Sequence, residues 1–192
     1  MPRKKKRAAS RANAQSTYAW HRRVPWFAIA GAAAIVVVGV LVARSFGVGE
    51  GAGRFTGPAS GVGSHPTEGT PIAYSSYPPT YGPHWLASTS WGFHSDTVPD
   101  ERAVHNLEHG GVVASYNNIP AESLAALRAL LTTYPKDKYG EVKLVIRPYD
   151  KVPAGTIMLT AWSWIDELPA YDEARVRHFL DAHLNQCCED VP

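Results

Sequence analysis

The run from Val24 to Ala43, VPWFAIAGAAAIVVVGVLVA, is 20 residues long and holds no charged side chain. As a helix it would be about 30 Å long, the thickness of a bilayer's hydrocarbon core. A helix in the core of a small domain keeps some polar face over five turns, and this one has none. The run is therefore expected to be a membrane-spanning helix. A cleaved signal peptide is the rival reading. The length opposes it, and so does Leu41, which is too large for the position three before a cut after Ala43.

Charge sets the expected orientation. Arg3, Lys4, Lys5, Lys6, Arg7, Arg11, Arg22 and Arg23 all precede the run, and no Asp or Glu does. Positive flanks stay in the cytoplasm, so residues 1–23 are expected inside and the rest outside. The remaining 11 basic residues face all 17 acidic ones, so the outer part carries a net charge of −6 under a whole-chain value of +2. The basic run Lys4 to Arg7 sits where anionic lipid headgroups account for it, and no nucleic-acid partner is expected. The anticipated location is the cell membrane, crossed once, with an extracytoplasmic C-terminal domain.

Residues 44–64 carry glycine at seven positions and read as a flexible linker. Residues 65–192 then form the one folded domain. Within it, Tyr77 to Trp85 (YPPTYGPHW) is rich in proline, which fixes φ and removes amide donors, so a stiff extended loop is expected. In VPDERAVHNLEHGG, Pro99 and the acidic Asp100 and Glu101 suit a helix start, and Gly110 suits its left-handed stop.

Val112 to Tyr116 reads as a strand. Leu124, Leu127, Leu131 and Tyr134 recur at helical spacing after Pro120, giving a helix over 121–134. Strands follow at 142–147 and 156–162, the second continuing so that Trp162 and Trp164 share a face. Asp172 caps a last helix with the stripe Val176, Phe179, Leu180 and Leu184. This order predicts an α+β domain: a small mixed β-sheet with packed helices, strands 112–116 and 142–147 running parallel through a right-handed crossover.

His105, Glu108 and His109 make an H-x-x-E-H pattern. Residues four apart share a helix face, so both imidazoles can address one ion with Glu108 beside them. The pattern matches that of inverted zinc peptidases, where the Glu is the general base. Those enzymes need a third ligand from a second helix, and here Gly110 ends the motif helix at once. His84 in the proline loop and His94 add two more imidazoles. The candidate metal ligands are thus His84, His105, His109 and His94, with copper or zinc as the ion. Glu108 would orient a ligand histidine, or act as catalytic base in a hydrolase. Cys187 and Cys188 are adjacent, open to a vicinal disulfide, to pairing with another chain, to remaining free, or to holding soft copper.

The blocks Tyr77 to Trp85, Val98 to Tyr116 (VPDERAVHNLEHGGVVASY) and Leu159 to Trp162 (LTAW) resemble the bacterial DUF3105 family, a membrane-anchored domain without established activity. The resemblance implies a signature of His84, His105, Asn106, Glu108, His109, Gly110 and Gly111. Tyr81 and the tail NQCCEDVP depart from the family pattern. Three functions stay open on these residues: a metal-binding domain, a non-enzymatic envelope module that docks a protein partner, and a metal-dependent hydrolase. An enzyme is the less favoured outcome.

Overall fold

The computed structural model describes residues 52–191. The basic tail and the uncharged run at 24–43 lie outside the described residues. Among the described residues no helix is long and apolar enough to cross a membrane.

Six strands form one mixed sheet in the order β1-β6-β5-β3-β4-β2. They are β1 (Arg54–Phe55), β2 (Gly92–Phe93), β3 (Val112–Tyr116), β4 (Leu144–Pro148), β5 (Ile157–Ala161) and β6 (Trp164–Leu168). β3 and β4 run parallel with Val113 opposite Val145, as the sequence predicts. β5 is antiparallel to both β3 and β6. The helices among the described residues are α1 (Asp100–Glu108), α2 (Ala121–Thr133) and α3 (Glu173–His183).

Alternation along the central strands assigns side chains to two layers. Val112, Ala114, Leu144, Ile146, Ile157 and Leu159 face α2 and α3, where Leu127, Leu130, Val176, Phe179 and Leu180 complete a buried cluster. Val113 and Val145 point the other way and pack on Ala103, Val104 and Leu107 of α1. The α1 residues at a helical spacing of three and four meet the sheet because they are apolar. The opposite stripe, His105, Glu108 and His109, is thereby turned toward the proline loop.

Two expectations are corrected. The strand at 156–162 does not run on through Trp164: Ala161 pairs with Trp164, so Trp162 and Ser163 form a two-residue turn, Ser163 at φ +67°. Trp162 then joins the α1 layer and Trp164 the other. The later part of the glycine-rich stretch is also not free linker. Arg54 and Phe55 pair with Ile165 and Trp164, and Thr56 bonds through its amide to the Ser163 carbonyl. Glycine content predicts a coil only where no distant strand supplies partners for the backbone.

Candidate metal centre

Three chain segments meet over the polar stripe of α1. Gly110, at φ +74°, lets the chain leave the helix immediately after His109. Gly111 lies so close beneath Trp91 that a Cβ there would come 2.5 Å from the indole ring. Asn106 is buried, accepting from the Thr89 amide at 2.9 Å and donating to the Thr89 carbonyl at 2.8 Å. That amide clamp draws residues 85–91 across the helix. The proline loop is fixed in turn by Tyr74 Oη donating to the Pro83 carbonyl and by the Ser163 amide donating to the Thr80 carbonyl. The His84 amide donates to the Ser64 carbonyl, which brings in the third segment with His65.

His65, His84, His105 and Glu108 converge so that each offers a ligand atom within 4.8 Å of the others. His84 Nε2 is 2.9 Å and His65 Nε2 is 3.5 Å from Glu108 Oε2. Ligand atoms around a tetrahedral Zn²⁺ stand about 3.3 Å apart, which these two separations bracket. His84, His105 and Glu108 are buried, while His65 is the wet member with a side chain 26% exposed.

The carbonyl partners decide which ring nitrogens are free. A carbonyl only accepts, so His84 Nδ1 donates to Gly82 O at 2.8 Å and His105 Nδ1 to Trp85 O at 2.7 Å. Both rings are thereby held with Nε2 available, the arrangement that orients metal-bound histidines. Burial pushes the His105 imidazole below its usual pKa, outweighing the Trp85 carbonyl, and favours the neutral ligand form. Burial pushes the Glu108 carboxyl up, but the Gly63 amide at 2.6 Å and His84 together outweigh it, and Glu108 is held below the usual range.

The predicted ligands divide. His84 and His105 lie in the cluster. His109 lies beside it, its Nε2 2.9 Å from His105 Nε2 and 3.5 Å from Glu189 Oε2. His94 is turned to the Ser90 carbonyl at 2.9 Å and is not part of the four. Glu108 stands among the potential ligands themselves rather than behind one. His65 was not legible because it lies where glycine content gives way to the domain; its one signal is the following Pro66, which restricts it to extended backbone. A cavity of about 250 Å³ lies beside Asp100 at the other end of α1, lined by Tyr116, Asn117, Tyr149 and Lys151 among others, and contains no histidine.

The family profile described as a protein of unknown function, DUF3105, matches residues 65–190. The chain belongs to the DUF3105 family. No curated protein and no solved structure matches it. The matched residues begin at His65, so the DUF3105 region contains all four members of the cluster, from its first residue to Glu108.

Proposed function

We propose that this protein binds a divalent transition-metal ion, of zinc type or copper(II), through His65, His84, His105 and Glu108, in a domain held outside the cytoplasm by the uncharged run at 24–43. The observation that carries the metal reading is the pair of carbonyl-locked rings: His84 and His105 each spend Nδ1 on a backbone carbonyl and keep Nε2 as the remaining ligand nitrogen, that of His84 lying 2.9 Å from the buried Glu108 carboxylate. Three imidazoles and a carboxylate, without a thiolate or thioether, suit borderline divalent ions over copper(I).

The burial of three of the four ligands, Glu108 among them, favours holding an ion over catalysis. A hydrolytic metal site keeps one position open for water and a base beside it. Glu108 is buried and already engaged by Gly63 and His84, which leaves it no room to serve as that base. Placement outside the cytoplasm is supported by the length of the uncharged run and by the eight basic residues before it.

The test is elemental analysis of the full chain, purified in mild detergent, loaded with Zn²⁺ or Cu²⁺ and desalted, beside His84→Ala and His105→Ala variants. Near-stoichiometric metal on the wild type that is lost from both variants is the expected result. Equal retention by all three, or none by any, overturns the reading and returns the domain to the protein-docking alternative. An impermeant label on a C-terminal tag in intact cells tests the placement.

A further inference from the structure

We propose that His109 and Glu189, together with His105, form an outer metal-capture position that loads the buried site. This rests on the metal reading of the inner four residues. Three of the four inner ligands, His84, His105 and Glu108, are buried, so an ion that is to reach them gains from a second route with ligands on it. His105 faces two ways. Its Nε2 is the nitrogen left free by the Trp85 carbonyl, and the same atom lies 2.9 Å from His109 Nε2. Because His105 Nε2 carries the lone pair, His109 Nε2 is the donor in that contact, and to ligate an ion through Nε2 the ring gives up that proton to solvent and takes one at Nδ1. Beyond His109, Glu189 Oε2 stands 3.5 Å from the same Nε2. Separations of 2.9 and 3.5 Å bracket the roughly 3.3 Å edge of a tetrahedral zinc site.

Like His65 of the inner set, whose side chain is 26% exposed, these two reach solvent: the His109 side chain is 19% and that of Glu189 40% exposed. The tail that carries Glu189 is pinned in place. Asn185 donates to the Gly110 carbonyl, Glu189 donates through its amide to the Glu108 carbonyl, and Lys143 bonds the carbonyls of His109 and Val191. An ion caught by His109 and Glu189 can bind His105 without leaving them. It then exchanges those two ligands for His84, His65 and Glu108 while His105 stays bound, so no step requires a bare ion in the interior. The carboxylate of Glu189 also attracts a cation to this side, against the charge of Lys143 beneath the helix end.

The experiment is stopped-flow uptake of Zn²⁺ by the full chain, and its release to a chromophoric chelator, for the wild type, His109→Ala, Glu189→Gln and the control His94→Ala. His109→Ala is expected to keep the stoichiometry and nearly the affinity of the wild type while slowing uptake and release together by about tenfold or more, the scale on which steering and capture act. Glu189→Gln slows them less, and His94→Ala leaves them unchanged. Rates equal to the wild type in His109→Ala overturn the capture role. Loss of bound metal from His109→Ala makes His109 an inner ligand, which overturns it too. A wild type that takes up no zinc defeats the inner-site reading itself and is distinguished by that result.

Discussion

His84 Nε2 lies 2.9 Å from Glu108 Oε2, and neither side chain has any exposure to solvent. With His84 Nδ1 donating to Gly82, one proton must sit between the two groups, on one or the other. The pair therefore has a structural role that can be separated from metal binding. Glu108→Gln keeps the shape: its amide can donate to His84 and its oxygen accept from Gly63. It should change stability by about 1 kcal/mol or less. Glu108→Ala strands both the imidazole and the Gly63 amide in a buried site and should cost about 2–4 kcal/mol. Both should lose metal affinity by more than the roughly 10–100-fold that follows loss of a merely supporting partner. Urea denaturation and competition with a chelator measure the two effects independently; a Gln variant that holds metal like the wild type would remove Glu108 from the ligand set.

Bound metal should stabilise the folded chain. At a free concentration about 100 times Kd, Zn²⁺ adds about 2.7 kcal/mol, which appears as a rise in Tm reversed by chelator. His65→Ala and His84→Ala should abolish the rise. His94→Ala should keep it, since His94 is turned to the Ser90 carbonyl and lies outside the four. Differential scanning fluorimetry with and without zinc checks this, and a lost shift in His94→Ala would restore His94 as a ligand.

Much of this site can be read from the chain. The helix Asp100–Glu108 has both ends marked, by Pro99 and Gly110, and the spacing of His105, Glu108 and Val104 fixes which face meets the sheet. Local signals suffice there because the relevant neighbours are three and four residues apart. The remainder depends on distant partners. Arg54 and Phe55 have no strand signature and become one only through Ile165 and Trp164, more than a hundred residues later. The turn at Trp162 and Ser163 has no Gly or Asn to announce it, although Ser163 takes a positive φ. His65 joins the cluster through the His84 amide bonding the Ser64 carbonyl, a contact between two loops that no periodicity encodes.

A second buried polar group holds the other end of α1. Arg147 is fully buried and donates to Ser115, to the Val98 carbonyl and to Asp100 at 2.7 Å. Tyr149 and Lys151 donate to the other Asp100 oxygen. Removing the acid alone leaves a guanidinium unpaired in the interior, so Asp100→Ala should cost about 3–5 kcal/mol. The double variant Asp100→Ala/Arg147→Met removes both charges and should recover a substantial part of that loss. Chemical denaturation of the two variants decides it: a double variant no more stable than Asp100→Ala would show that Arg147 is held by Ser115 and Val98 rather than by its ion pair.

Stability should also fall with pH through His183. This imidazole is packed between Trp164 and Phe179 at the end of α3, with Nε2 donating to the Ala52 carbonyl at 2.6 Å. Burial pushes its pKa below the usual value, against the opposing effect of that carbonyl. As pH drops through about 6.5 the unfolded chain takes up the proton and the folded one does not. The contribution of His183 is therefore complete above about 6.5 and is lost as pH falls from there toward the folded value, at up to about 1.4 kcal/mol per unit. His183→Gln retains a donor for Ala52 and cannot be protonated. Between pH 7.5 and 5.5 its Tm should fall less than that of the wild type, the other buried histidines acting equally on both. Parallel slopes would mean that the folded protein accommodates a charged His183, and that the packing against Trp164 and Phe179 yields without cost.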